Sequence, residues 1–404
     1  MLAPKLRFKE FNDEWDYKLF NEIFEFIQNN SFSRDMLNYD ENSKIYNIHY
    51  GDILTKYGEI IDFNIISNII PKINNDISLS KFEDKSYLKN GDIIIADTAE
   101  DLTVGKSCEV INLHCKALAG LHTIPCRPKF KFASQYLGEY INSTSYHSQL
   151  IPYITGIKVS SISKTSIIKT KIYFPTVKEQ EKISELFSLL NKKIELQQRK
   201  IEVLKMYKRG LINQLYTSLD CSEVQIKDIG EVITGTTPSK DNLSYWSNGT
   251  IVWVTPSDIT EFKNISDSQI HLTPQGLNAG RKLPKNTLLI TCIASIGKNA
   301  ILKVDGSCNQ QINAIIPCND YDIDFLYYLF EYKKSYMQSI AGTSATSIIN
   351  KSSFEKILLK IPKISVQKKI AKNLSAIDYK IEVQQHLLDR LFTFKKSLLQ
   401  QMFI

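Results

Sequence analysis

Phe174–Thr217 reads FPTVKEQEKISELFSLLNKKIELQQRKIEVLKMYKRGLINQLYT, and it returns without a gap as Ile361–Ile404, IPKISVQKKIAKNLSAIDYKIEVQQHLLDRLFTFKKSLLQQMFI, 187 positions later (Pro362 minus Pro175). In the first copy the apolar residues Ile183, Phe187, Leu190, Ile194, Ile201, Leu204, Leu211 and Leu215 step by fours and threes. Ile370, Leu374, Ile377, Ile381, Leu388, Leu391, Leu398 and Met402 match them in the second. Such stepping is the seam of a coiled coil. At two seam steps both copies are polar, Gln197 with Gln384 and Lys208 with Lys395. Polar seam residues fix register and partner at a cost in stability, so the two copies are expected to pair with each other. The alternative is two amphipathic helices, each packed on its own domain. Thr176 with Glu179 fits a capping box just after Pro175, and Ser365 is the expected cap of the second helix.

A helix from Val177 to Tyr216 would run roughly 60 Å at about 1.5 Å per residue. Only Ser218 to Cys221 separates it from the next globular segment, which is too small to carry the chain back along that length. The second helix therefore starts at the far end and returns. The expected fold is α+β: two similar mixed α/β domains joined by two long antiparallel coiled-coil helices, a pseudo-two-fold internal repeat. The boundaries read 1–173 and 218–360 for the domains, 174–217 and 361–404 for the helices.

The composition, 43% apolar and 23% charged over 404 residues, suits two domains with real cores and excludes disordered and fibrous classes. The opening MLAPKLRFKEFNDEW has no apolar run of signal-peptide kind and no stretch is long enough to span a membrane, so a cytoplasmic location is expected. Seven cysteines without tight spacing suggest reduced thiols. Cys108, His114, Cys115, His122 and Cys126 lie close together, but without a C-x2-C pair a zinc site is disfavoured against buried small residues. A formal charge of +7 permits a polyanionic partner without requiring one.

A second, looser duplication runs through the domains. Trp15 to Ile27 resembles Val224 to Ile233, and Ile45-x-x-Ile48-x-x-x-Asp52-Ile53 is echoed by Ile251-x-x-Val254-x-x-x-Asp258-Ile259. The buried-strand runs Gly91–Ala96 and Thr287–Thr291 are each followed by a kindred tripeptide, Val104-Gly105-Lys106 and Ile296-Gly297-Lys298. From there an offset of 192 aligns Ile124-Pro125-Cys126 with Ile316-Pro317-Cys318. It also aligns Tyr136-Leu137 with Tyr328-Leu329 inside helices near Ala133–Ile151 and Asp324–Ile340. Thr155 to Phe174 and Gly342 to Ile361 lead into the long helices. Between these shared positions the stretches differ, which suggests two binding preferences on one scaffold.

Chemistry-bearing motifs are missing. Val104-Gly105-Lys106-Ser107 ends like a phosphate loop, but Glu100 stands where a glycine is needed, and Cys292 does so in the twin. Asp258, Glu261 and Lys263 crowd one short turn rather than flanking a metal. No G-x-G-x-x-G occurs, no Asn-Pro-Pro or Asp-Pro-Pro signature of an amino-methyltransferase, and no nucleophile motif beside any of the six histidines. A binding protein is favoured over an enzyme. Basic residues with interleaved aromatics (Arg127, Lys129, Phe130, Lys131, Phe132; Tyr332, Lys333, Lys334, Tyr336) could meet phosphates and stack bases, or form a solvated face with buried rings.

Gly235-Thr236-Thr237-Pro238-Ser239, Tyr245-Trp246, Ile251-Val252-Trp253, Cys308-Asn309-Gln310-Gln311-Ile312 and the two Pro-x-x-x-x-Gln helix openings at Pro175 and Pro362 together resemble the specificity subunit of type I restriction-modification systems. The resemblance covers essentially the whole chain. The first domain departs from it, with His49-Tyr50-Gly51-Asp52 where the second has Thr255-Pro256-Ser257-Asp258. It implies two target-recognition domains that each read half of a split double-stranded DNA target, and an antiparallel helical spacer acting as a ruler. It further implies two modification subunits that bind S-adenosylmethionine and methylate adenine, and restriction subunits that use ATP and Mg. No cofactor, metal or catalysis is expected in this chain. Candidate DNA contacts are His49, Tyr50, Lys56, Lys106, Arg127 and Lys129 in the first domain, and Thr237, Ser239, Lys240, Ser257, Lys298 and Gln310 in the second. The rival reading is a coiled-coil adaptor that joins two protein partners.

Overall fold

The computed structural model describes residues 2–156, 158–219, 221–341 and 347–404. Gly342, where the second lead-in was expected to begin, lies outside them. Contacts divide the chain into two units, Met1–Gln197 with Leu387–Ile404, and Gln198–His386.

The first unit opens with strands β1 (Asp16–Leu19) and β2 (Phe24–Phe26), followed by β3 (Ile45–Ile48) and helix α1 (Tyr50–Thr55). Strands β4 (Ile60–Asp62), β5 (Ile93–Ala96), β6 (Ser107–Ile111), β7 (Lys116–Ala119) and β8 (Thr123–Pro128) come next. Helix α2 (Tyr136–Ile141) and strand β9 (Lys171–Phe174) lead to the long helix α3 (Val177–Thr217). The central sheet has the order β2-β8-β5-β6-β4, antiparallel except for the parallel edge pair β4–β6. Strand β3 runs parallel to β7 in a second sheet. Strand β1 pairs with β9, which delivers the chain to α3. The apolar run Ile93-Ile94-Ile95 is fully buried, as a strand covered on both faces must be.

The second unit repeats this plan with β10 (Glu223–Gln225), β11 (Gly230–Thr234), β12 (Ile251–Val254) and β13 (Asn264–Ile265). Strands β14 (Thr287–Thr291), β15 (Asn299–Leu302), β16 (Gly306–Cys308) and β17 (Ile312–Pro317) follow. Helix α4 (Ile323–Ile340), strand β18 (Leu358–Lys360) and helix α5 (Ile364–Met402) complete it. The sheet order β11-β17-β14-β15-β13 has the same sense of pairing, β12 runs parallel to β16, and β10 pairs with β18. Alternation along β14 makes the sheet a wall between two cores. Leu288 and Ile290 join Phe325, Tyr216 and Leu374 on the helix side, while Leu289 joins Val252, Val254 and Cys308 on the side of the loops. Each such fully buried side chain contributes about 1.5–3 kcal/mol.

Pairing confirms the 192 offset for the glycine tripeptides: Gly105 (φ 92°) donates to Ala96 O and Gly297 (φ 80°) to Thr291 O at equivalent places in left-handed backbone. Beyond them the frame slips by three. Ile124 faces Ile95 and Asn313 faces Ile290, an offset of 189 (Asn313 minus Ile124), so Pro128 rather than Pro125 answers Pro317. The same 189 aligns Tyr136 with Phe325, which corrects the expected Tyr136–Tyr328 match. The expected helix Ala133–Ile151 is broken in two, because Asn142 leaves the helix to bond Ser107 through both its amide atoms and Ser143 caps a new helix at Tyr146 N.

In the first unit the start of α3 lies beside the end of α5, with Phe187 and Phe403 stacked at 5.8 Å. In the second, the end of α3 lies beside the start of α5, where Ile212 and Tyr216 share a core with Ile370 and Leu374. The pairing is antiparallel in both. Ile183, Phe187, Leu190, Ile194 and Ile201 are buried as the seam requires, but farther along Ile212 and Tyr216 are buried while Leu211 and Leu215 are only half-buried. There the helix turns its apolar face toward the domain as well as toward its partner helix. Glu179, expected in a capping box, has its carboxylate taken up by Arg7 (2.7 Å to each oxygen) and Trp15. The Pro-x-x-x-x-Gln openings are staples. Gln180 donates to Pro175 O and accepts from Ala133 N, and Gln367 donates to Pro362 O and accepts from Asp322 N.

Candidate nucleic-acid interface

Loops gather at one edge of the second unit. Thr236 N donates to Cys308 O (2.9 Å), Asn309 N to Val254 O (3.0 Å), and Trp253 Nε1 to Thr236 O (3.1 Å), tying together the loops after β11, β12 and β16. Gly235 is required there, since a Cβ would lie 2.4 Å from Cys308 O. Trp253 meets Trp246 edge-on at 5.0 Å, and Trp246 Nε1 holds Ser239 O at 2.9 Å. On this platform Thr237 donates to Gln310, Ser257 bonds Thr255, and Ser239 and Lys240 are exposed. Asp258 accepts from Thr255 N, Thr255 Oγ1 and Gln269 N, which shapes the turn. Thr237, Ser257 and Gln310 are thus brought to one polar edge. Lys298 stands apart, lining a cleft of about 880 Å³ with Lys205, Arg209 and Lys334.

The corresponding edge of the first unit is built otherwise. Asn30 N donates to Ala119 O and Gly120 N to Ile48 O, and Asn30 Nδ2 reaches Asn47 Oδ1 at 2.6 Å. His49 caps α1, accepting from Gly51 N at 3.2 Å, and its ring lies 4.7 Å from Tyr50, which in turn meets His122 at 5.2 Å. Burial and then the nearby Arg34 charge lower the His49 pKa, disfavouring the charged imidazolium. Asp52 is fully buried, with Arg34 at 2.8 Å and Lys56 at 2.9 Å. Burial pushes its carboxyl pKa up, but the two cations outweigh that and the net shift is downward. His49, Tyr50 and Lys56 therefore share one edge with Arg34.

The other first-unit candidates have internal partners. Lys106 Nζ reaches Leu54 O and Tyr57 O (2.9 Å) at the end of α1, Arg127 pairs with Asp92 (2.7 Å) and Tyr87 O, and Lys129 holds Asn21 O (2.7 Å). Lys395 reaches Glu59 and Lys208 reaches Asp378, while Gln197 is buried and Gln384 half-buried. Sequence reading missed Arg34 and Arg281, the latter exposed and donating to Thr234 O at 3.0 Å. The signal available for Arg34 was a buried-type aspartate, Asp52, in need of a cation. Buried Cys108 and Cys126 turn their thiols to backbone carbonyls, and among the described residues no three His, Cys, Asp or Glu gather as a metal site.

The model of the type I restriction modification DNA specificity domain matches residues 12–206 and again 219–392. The chain belongs to that family. DNA sequence specificity is the role that membership carries. A putative type I restriction enzyme MjaX specificity subunit of Methanocaldococcus jannaschii is 24% identical over 98% of this chain and 94% of its own length. The MjaIX specificity subunit of the same organism is 37% identical over 39% of this chain, and the match spans only 38% of that relative's length. Two solved structures share the fold. One is a type I restriction-modification S subunit from M. genitalium (13% identity, 100% of this chain, 99% of that one, TM-score 0.56). The other comes from work on complex assembly and conformational transition of the type I R-M system (14% identity, 96% of this chain, 97% of that one, TM-score 0.63).

Proposed function

We propose that this chain reads a split double-stranded DNA target, each of its two units recognising one half. The observation that carries this is the pair of loop edges: one frame of sheets holds both, yet the residues they offer differ. Hydroxyls and an amide (Thr237, Ser257, Gln310) suit base edges in the second unit, while cations and rings (Arg34, Lys56, Tyr50) suit phosphates and bases in the first. Residues 1–173 and 218–360 are the recognition domains, and 174–217 and 361–404 the spacer. The chain supplies specificity, and two modification subunits and the restriction subunits supply chemistry along with S-adenosylmethionine, ATP and Mg. Exposed apolar residues on the long helices, Leu189, Leu196, Met206 and Tyr207 on α3 and Tyr379 and Phe394 on α5, offer those partners a surface. Among the described residues no helix is long and apolar enough to cross a membrane, and a cytoplasmic place of work fits the proposed substrate.

Methylation mapping of DNA from cells expressing the chain with its modification partner, against cells lacking the chain, tests this. A new split adenine-methylated motif is expected. Its absence, with both proteins soluble and associated, would favour an adaptor for two protein partners, whose affinity should depend little on salt, whereas DNA affinity falls steeply with it.

A further inference from the structure

Lys208 and Lys395 hold the same place in the long-helix repeat: Lys395 reaches two carboxylates of the adjacent domain, while Lys208 pairs with Asp378 of α5 and meets its domain through the Tyr327 and Tyr328 rings of α4. In the first unit Lys395, with 9% of its side chain exposed, lies 2.7 Å from Glu59 and 3.3 Å from Glu139. Glu139 sits on α2 and also accepts from Asn191 of α3 at 2.7 Å. Glu59 precedes the edge strand β4, and its carbonyl accepts from Glu109 N at 2.9 Å. One ammonium therefore ties α5 to the sheet edge and to α2, and through Glu139 to α3.

In the second unit the seat is the same and its occupants are not. Ile301 N donates to Lys263 O (2.7 Å), so Lys263 stands where the first unit has Glu59. The 189 offset puts Tyr328 at the place of Glu139, and the 187 offset puts Asp378 at the place of Asn191. Lys208 pairs with Asp378 at 2.6 Å and lies over the Tyr328 ring at 5.2 Å, while Tyr328 donates to Asp378. Lys263 turns to Asp324 (2.8 Å) and Ser375 (2.9 Å). Only the lysine on the long helix is common to both.

We propose that Lys395 and Lys208 are positioning residues that set each recognition domain on the helical spacer, so that loss of either seat impairs the reading of one half-site only. This rests on the proposed reading of DNA. A buried ion cluster is a poor source of stability, since apolar replacements of similar volume are often neutral or stabilising, but it is directional. Base recognition needs hydrogen-bond geometry, and a domain free to rock on its support loses it before it loses its fold.

The experiment uses the full chain assembled with its modification partner. Competition binding compares the mapped target with duplexes altered in the first half or in the second. Lys395→Met with Glu59→Gln and Glu139→Gln removes the first seat without stranding a charge. It should keep the melting temperature yet lower discrimination at the first half at least tenfold, leaving the second unchanged. Lys208→Met with Asp378→Asn should do the converse. Lys395→Glu should abolish first-half discrimination, and adding Glu59→Lys should restore it. Equal losses at both halves, or unchanged discrimination in the neutral triple variant, would overturn the seating role. No preference for any half-site by the unaltered assembly would instead overturn the DNA reading on which it rests.

Discussion

At one place in the repeat the first unit has Asn47 and the second Trp253. Both side chains reach the loop that follows the first strand of the main sheet, Asn47 to Asn30 and Trp253 to Thr236. Five residues on, both units have aspartate, yet Asp52 holds two cations while Asp258 holds its own turn. Changing the residue left the link intact, and keeping the residue did not keep its work. What is shared is the sheet register that brings these positions together, and each unit fills them to suit its own edge.

Trp253→Ala gives the largest expected effect. It empties a buried site and frees Thr236 O, at a cost of about 3–5 kcal/mol. The second unit should melt first and methylation should become indifferent to the second half-site. Asn47→Ala should act on the first half alone, and if either change touched both halves equally the comparison would be broken.

Protonation offers a sharper contrast. Glu109 stands where the second unit has Ile301, and burial, partly offset by bonds from Gly138 and Gln135, pushes its carboxyl up to about 7. The folded unit then keeps a proton that the unfolded chain releases near its ordinary value of 4.5. Stability is full below that value and is lost as pH rises toward 7, by about 3 kcal/mol at about 1.4 kcal/mol per pH unit. Melts across this window should show the loss, and Glu109→Gln should reduce it, leaving the share of Glu139, whose carboxyl is also pushed up to about 7 by burial and the nearby Glu59. A curve that Glu109→Gln leaves unchanged would refute the assignment.

Asp52→Asn should cost the first unit about 2–3 kcal/mol, less than a fully buried pair because Arg34 and Lys56 are about half in water. The depressed carboxyl of Asp52 adds stability that is present above the ordinary value and lost as acid protonates it, so the variant should lose the acid side of the profile. Asp258→Asn, which keeps an acceptor for the turn, should cost about 1 kcal/mol.

Much of the fold was legible because long helices declare themselves by apolar period and the second copy checks the first. The domain frame was legible where a backbone demand fixes residue type, as at Gly105 and Gly297, whose left-handed conformations keep the tripeptides in step. It failed just beyond, where Pro125 and Pro317 were matched by identity although sheet pairing sets them three apart. Lys395 was read as a seam residue because periodicity records which face a residue occupies and not how far a flexible side chain reaches. Arg34 was missed for the same reason, its partner Asp52 being 18 positions away.

The smallest effect expected is the most specific one. Gln310 is exposed on the polar edge, and its side-chain oxygen accepts from Thr237. That bond leaves the amide hydrogens free to meet an acceptor on a base, the arrangement a side chain needs for direct readout. Gln310→Ala should leave melting unchanged, since nothing buried is lost. It should reduce discrimination at one base position of the second half-site by about 1 kcal/mol, roughly five-fold. Methylation frequencies across near-cognate sites resolve a change of that size. Weakening spread uniformly over all positions, with a shallower salt dependence, would mark Gln310 as a backbone contact and move the base-reading role to Ser257 and Arg281.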